Sequence, residues 1–166
     1  MKDAQNAQRS PEKQEAIYRY LATLPLFDGM EPEELGIVAA HMHLFSAEEG
    51  DLVFEEGEKG NYVCFVVGGI LDVIKDAASG ERAQIAELSA GDSIGEMAVV
   101  DNFPRSATVV AKTPATLLTM TSTDFNQLLL SHPAVGIKIL KGIARILSIN
   151  LRKTSSQLAD YMLPVM

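Results

Sequence analysis

The chain has 166 residues, 47% of them hydrophobic, which is enough for one folded domain with a proper core. Its 22 acidic and 14 basic residues give a net charge of −8, which argues against nucleic-acid binding because such proteins present a cationic surface to phosphates. The longest apolar runs are short and the N-terminus has no apolar signal core, so we expect a cytoplasmic protein without a membrane segment. A single cysteine excludes an intrachain disulfide framework.

The N-terminal quarter of the chain predicts a tail followed by helices. Residues 1–9 are polar and are expected to be a flexible tail, and residues 10–42 are expected to form N-terminal helices. Ser10 followed by Pro11 is typical of an N-cap and a first helical turn. Apolar residues at helical spacing then predict one helix up to Pro25 and a second, shorter helix after it.

Residues 43–121 have the texture of a β domain. Short runs of β-branched and aromatic residues alternate with turn residues, and glycines recur at positions 50, 57, 60, 68, 69, 80, 91 and 95. Turn signals at this density predict an antiparallel sandwich or barrel.

The pattern becomes helical again over residues 122–158, with a short helix capped by Ser122 or Thr123 and a long one over residues 133–158. The long helix carries two adjacent apolar stripes. One stripe can cover the β core while the other meets a second copy, so residues 133–158 predict a homodimer. Packing of both stripes within one chain is the alternative. Residues 159–166 are expected to be a tail.

The segment "SIGEMAVVDNFPRSATVV" places two charges on an apolar background, where burial is costly unless a polar partner satisfies them. Arg105 offers a planar fork able to grip two phosphate oxygens, and Ser106 adds a hydroxyl beside it. Glu96 is suited to accept hydrogen bonds from sugar hydroxyls. Spacing alone is equally consistent with an internal ion pair between Glu96 and Arg105 that braces the loop.

This segment strongly resembles the phosphate-binding cassette of cyclic nucleotide-binding domains, the module of the catabolite activator protein, protein kinase A regulatory subunits and cyclic-nucleotide-gated channels. The shared pattern is Gly-Glu, small and apolar residues, a short loop, and Arg-Ser-Ala-Thr leading into a strand. Upstream, Gly57, Gly60 and Gly69 punctuate "FEEGEKGNYVCFVVGGILDV" as in that family. The resemblance implies an α+β fold: an antiparallel β-roll (a double-stranded β-helix or jelly roll), flanked by N-terminal helices and a long C-terminal helix, with the cassette at residues 93–108.

The resemblance also implies which residues contact the ligand. Glu96 would accept the ribose 2′-hydroxyl and Arg105 would pair with the cyclic phosphate. Ser106 in place of threonine favours cAMP over cGMP. Asn150 could contact the adenine edge, or it could instead fix the register of paired helices. The positions assigned to the ligand are Gly95, Glu96, Met97, Ala98, Arg105, Ser106, Ala107 and Asn150.

We therefore expect a sensor of a cyclic mononucleotide, cAMP first and cGMP second, that is not an enzyme and needs no metal or cofactor. Little sequence follows Leu158, so we expect a stand-alone member without a DNA-binding domain that acts through an unknown effector protein. One rival is a degenerate interaction module of the same fold without ligand. Others are the same pocket holding a different ligand and a cupin-like metal enzyme, for which "HMH" at residues 41–43 is a weak signal.

Overall fold

The computed structural model describes residues 10–77, 80–101 and 103–162. The expected α+β class is confirmed, because two antiparallel sheets are flanked by helices at both ends of the chain. The predicted tail at residues 1–9 lies outside the described residues, as do residues 163–166. The strands are β1 (His43–Ala47), β2 (Leu52–Phe54), β3 (Tyr62–Gly68), β4 (Leu71–Asp76), β5 (Arg82–Leu88), β6 (Ser93–Ile94), β7 (Thr108–Ala111) and β8 (Ala115–Thr121).

The two sheets of the β-roll have the strand orders β1-β8-β3-β6 and β2-β7-β4-β5. Consecutive strands therefore alternate between the two sheets, except that β4 and β5 are neighbours in the same sheet, and glycine-containing turns allow these crossings. Gly69, for example, has φ +82°, and a Cβ there would lie 2.3 Å from the carbonyl oxygen of Pro114, so this turn requires glycine.

The helices begin where the local chemistry predicts. Ser10 caps the first of them by accepting from the backbone N–H of Lys13, which confirms the predicted start. At the fourth helix the predicted cap was wrong by one residue, since Thr121, the last residue of β8, accepts from the N–H of Asp124. The helices are α1 (Pro11–Leu21), a short 3₁₀ helix (Pro25–Phe27), α2 (Pro32–Ala39), α3 (Glu96–Val100), α4 (Ser122–Ser131) and α5 (Pro133–Met162).

The central strand β3 is buried on both faces, because each face meets a different core. Cys64 and Val66 face the second sheet, whereas Val63 and Phe65 face the helices. Side chains of a strand point alternately to opposite faces, so one strand contributes to both cores. The N-terminal helices, α4 and the start of α5 therefore all cover the same sheet.

The long helix α5 is packed only in its first half. Its buried residues are Val135, Gly136, Ile139 and Ile143, which meet α4, α2 and the short 3₁₀ helix. From residue 148 to residue 162 each residue is exposed, and the helix continues past the predicted end at residue 158. None of the helices in the described ranges is long and apolar enough to cross a membrane.

A polar bridge joins β1 to the start of α4. His43 Nε2 lies 2.9 Å from Asp124 Oδ2, and Thr121 Oγ1 donates to the same oxygen at 2.6 Å. Burial raises the pKa of Asp124, but the hydrogen bonds from Thr121 and His43 lower it more, so this pKa lies below its ordinary value. The bridge fixes α4 against the sheet from which it emerges.

Candidate functional site

The Gly-Glu segment lies where the short strand β6 ends. β6 pairs with β3 through Cys64 opposite Ile94, and the chain then turns at Gly95, which has φ +85°. Only glycine adopts this left-handed conformation without strain. The turn starts α3 at Glu96, and α3 packs against β3 and α4.

Arg105 is a buried cation, with only 5% of its surface exposed. Its Nη2 donates to the carbonyl oxygen of Tyr62 at 2.8 Å, and its Cζ lies 4.0 Å from the ring centroid of Phe54 and 4.5 Å from that of Tyr62. The backbone around it is equally fixed, since Arg105 N–H donates to Glu58 O at 2.7 Å and Gly57 N–H donates to Arg105 O at 2.8 Å. The cassette loop is thus tied to the loop between β2 and β3.

The second terminal nitrogen of Arg105 has no partner. Nη1 is buried without a hydrogen bond, and a Cβ built on Gly95 would lie 2.3 Å from it, so this nitrogen lies directly against the glycine. A buried N–H of a charged group left unpaired is unfavourable by more than the approximately 1–3 kcal/mol of a neutral one. An anion at this position would satisfy it, and the cyclic phosphate of a nucleotide is such an anion.

Glu96 is buried next to this glycine, with 6% of its surface exposed, and its Oε1 accepts from Ser93 Oγ at 2.9 Å. Glu96 and Arg105, both within the described residues, are not paired with each other, so the alternative of a bracing ion pair is wrong. Burial raises the pKa of the nearby Cys64 thiol to about 12, while Arg105 lowers it and Glu96 raises it. The two charges of the site therefore act on the pKa of one buried thiol in opposite directions.

The other predicted positions differ in exposure. Met97 and Ser106 are exposed, and Ala107, which directly precedes β7, is buried. Ser106 O accepts from Lys75 Nζ at 2.6 Å, which anchors the loop from the other side. Ala98 lies in α3, and its backbone is helical.

Asn150 differs from Glu96 and Arg105 in its exposure to solvent. It lies on α5 within the stretch from residue 148 to residue 162 in which each residue is exposed, whereas Glu96 and Arg105 are buried. A role for Asn150 at the ligand therefore stays a prediction.

Sequence reasoning missed Phe54 and Tyr62, which form the surroundings of Arg105. The available signal was the arginine itself, because a buried guanidinium needs partners that accept a cation, and aromatic rings are such partners. Neither ring is near Arg105 in sequence, so no local pattern identified them.

The "HMH" histidines do not form a metal site. His41 Nδ1 lies 2.9 Å from Ile37 O, and His43 belongs to the bridge with Asp124. Within residues 10–77, 80–101 and 103–162, no three His, Cys, Asp or Glu side chains come together in a way that could hold a metal ion.

Comparison with known proteins agrees with this geometry. Residues 44–132 match the family model of the cyclic nucleotide-binding domain. The chain is 31% identical over 131 residues to a cAMP-dependent protein kinase regulatory subunit of Mycosarcoma maydis, covering 75% of this chain and 24% of that one. It spans less than two thirds of the length of the curated relatives that it matches here.

Two solved structures have the same fold. A cyclic nucleotide-binding domain from Methylobacillus flagellatus superimposes with a TM-score of 0.81 at 28% identity, covering 93% of this chain and 87% of that one. The catabolite activator protein of Thermus thermophilus gives a TM-score of 0.73 at 27% identity, covering 81% of this chain and 62% of that one. From the family match and the cassette geometry together, the chain belongs to the cyclic nucleotide-binding domain family.

Proposed function

We propose that this chain binds a cyclic mononucleotide, cAMP in preference to cGMP, and acts as a regulatory sensor rather than as an enzyme. One observation carries the proposal: Arg105 Nη1 is buried and unpartnered beside a glycine that leaves room for it. The related regulatory subunit of Mycosarcoma maydis is cAMP-dependent by name, which supports this ligand.

The ligand lies with its phosphate at Arg105 and its ribose at Glu96. A charge-assisted hydrogen bond from Nη1 to a phosphate oxygen contributes about 1.5–3 kcal/mol. Glu96, held by Ser93 through one oxygen, accepts the ribose 2′-hydroxyl. The backbone of Gly95, Met97 and Ala98 borders the sugar and phosphate. The two residues after Arg105, Ser106 and Ala107, donate further hydrogen bonds to the phosphate from hydroxyl or amide groups.

The base is contacted by the C-terminal helix, where Asn150 is exposed and its amide can donate to or accept from an adenine edge. In this proposal α5 moves relative to the cassette when the ligand binds. The joint for this movement is His132, a non-helical residue with φ −137° and ψ +66° between α4 and α5. A ligand that contacts α5 in only one of its positions shifts the equilibrium towards that position.

In this proposal α5 pairs with α5 of a second copy, so that the chain forms a cytoplasmic homodimer. A change in the position of α5 on ligand binding then alters the surface that an effector protein contacts. The exposed apolar residues along α5 support this pairing, because large apolar side chains on one exposed helix are typical of a helix–helix interface. They are Ile137, Leu140, Ile149, Leu151, Leu158, Tyr161 and Met162.

The experiment that tests the proposal is binding by calorimetry and thermal shift with cAMP, cGMP, AMP and cyclic dinucleotides. We expect binding selective for cyclic mononucleotides, and at least about tenfold weaker binding by Arg105→Leu. The matched control is Arg19→Leu, because Arg19 is an exposed arginine paired with Glu15 on α1. Unchanged affinity in Arg105→Leu would overturn the site. A chain that binds no cyclic mononucleotide, and still forms a dimer, would instead be an interaction module of the same fold.

A further inference from the structure

Two aromatic rings form a corner around the guanidinium of Arg105. Its Cζ lies 4.0 Å from the centroid of Phe54 and 4.5 Å from that of Tyr62, and the two centroids are 6.2 Å apart with an interplanar angle of 75°. These distances exclude a sandwich, in which the two centroids would lie much farther apart. We call Phe54 and Tyr62 the aromatic corner.

The aromatic corner is itself fixed by a hydrogen bond. The Tyr62 hydroxyl donates to Val53 O at 2.8 Å, and Val53 directly precedes Phe54 on β2. Burial raises the pKa of the Tyr62 phenol to about 12, further above physiological pH than its ordinary value, and the protonated phenol is the donor in this bond. The bond links the end of β2 to the start of β3 and sets the two rings at a constant angle.

The aromatic corner restricts the arginine to one useful pose. An arginine side chain has many rotamers, and binding would otherwise have to overcome the entropy lost when it is fixed in one of them. Here the rings contact the cation, Tyr62 O accepts a hydrogen bond from Nη2, and Gly95 leaves space for Nη1. Cation–π contacts of a desolvated arginine are comparable in free energy to the entropy that they must offset.

We propose that Phe54 and Tyr62 are positioning residues that hold Arg105 ready for the phosphate before the ligand arrives, with Nη1 as the atom left free. This inference deepens the proposed function and depends on it for its effect on affinity. The order of the guanidinium in the ligand-free chain does not depend on it.

The first test therefore uses no ligand. In NMR spectra of the ligand-free protein, the guanidinium protons of Arg105 are identified by their loss in Arg105→Leu. We expect ring currents to shift them upfield in the wild type, and this shift to become smaller in Phe54→Leu, where only the Tyr62 ring remains. Guanidinium protons at unshifted, rapidly averaged positions in the wild type would overturn the proposal, whether or not any nucleotide binds.

The second test measures cAMP affinity in a mutant cycle. We expect Phe54→Leu to weaken binding by about fivefold in the wild-type background and by less than about twofold in Arg105→Leu. Tyr62→Leu should have the same effect, while Tyr62→Phe, which keeps the ring and loses only the bond to Val53 O, should weaken binding less than Tyr62→Leu. An equal effect of Phe54→Leu in both backgrounds would contradict a role exerted through Arg105.

Phe65→Leu is the matched control for lost aromatic packing. Phe65 is buried on the face of β3 opposite to that of Tyr62. Its ring packs against Phe27, with a centroid distance of 5.4 Å, and not against Arg105. We expect Phe65→Leu to lower the melting temperature as Phe54→Leu does, but to leave cAMP affinity within about twofold of the wild type. Equal losses of affinity in the two variants would mean that Phe54 and Tyr62 contribute only core packing and do not position Arg105.

Discussion

Replacing Gly95 with alanine tests whether Arg105 must lie against this glycine. The added Cβ would lie 2.3 Å from Arg105 Nη1, 3.1 Å from Tyr62 O and 3.3 Å from Arg105 Cζ. Ordinary contacts between non-bonded heavy atoms are about 3.5–4.0 Å, so the guanidinium must move by about 1 Å or more. It is the end of a side chain, so it can move, but only by changing its contacts with Tyr62 O and the aromatic corner.

The change has two separable effects. Alanine at φ +85° is strained by about 1–2 kcal/mol, which in a chain of this length lowers the melting temperature by roughly 2–8 °C. Displacing Nη1 additionally removes a charge-assisted contact to the phosphate worth about 1.5–3 kcal/mol, so cAMP affinity should fall by at least about tenfold.

The assay is thermal unfolding without ligand, together with calorimetric titration of cAMP. Gly50→Ala is the matched control, because Gly50 has φ +87° but no atom within 4 Å of the added Cβ. We expect both variants to lose similar stability from backbone strain and only Gly95→Ala to lose affinity. If Gly95→Ala binds cAMP as tightly as Gly50→Ala, then Nη1 is not the atom that meets the phosphate.

Three further outcomes are expected. Glu96→Gln should weaken binding of cAMP but change binding of 2′-deoxy-cAMP little, because the deoxy ligand lacks the hydroxyl that Glu96 accepts; equal losses for both ligands in titrations would contradict that contact. Asp124→Asn should be less stable than the wild type at neutral pH in chemical denaturation. Because the folded pKa of Asp124 is lowered below 3.8, its stabilising effect is present above that value and is lost as the pH falls through the folded pKa, so the two unfolding curves should converge only at a pH below 3.8. If the two proteins still differed in unfolding free energy below that pH, the negative charge of Asp124 would not be the cause of its stabilising effect. Leu158→Asp should convert a dimer into a monomer in analytical ultracentrifugation, whereas Glu12→Asp on α1 should not; an unchanged dimer would exclude this part of α5 from the interface.

The cassette could be predicted from the sequence because its residue types are unusual where they stand. Few structural explanations exist for a Gly-Glu pair at the end of a strand, such as Gly95 and Glu96. The same is true of an arginine that precedes a small residue just before the next strand, such as Arg105 before Ser106. The family pattern then related them to a common ligand. The absence of a direct Glu96–Arg105 pair could not be predicted, since spacing along the chain does not say whether two charges meet.

Local sequence patterns could not predict which residues surround Arg105, for a physical reason. The hydrogen bond from Arg105 to Tyr62 O joins residues 43 positions apart, and it depends on how the β2–β3 loop packs on the cassette. Likewise, the cap of α4 is Thr121 rather than Ser122 because β8 and α4 follow each other without a connecting loop. Such boundaries are decided by tertiary packing more than by the side chains at the boundary.

The exposed half of α5 also has a mechanical consequence. The helix is held at Val135, Ile139 and Ile143, and at about 1.5 Å per residue it extends nearly 30 Å beyond Ile143. A tilt of about 10° around this fixed end would carry the far end through roughly 5 Å, which is close to one helical turn. Ångström-scale adjustments at the cassette would therefore be read out as a displacement large enough to change which side chains a neighbouring helix meets.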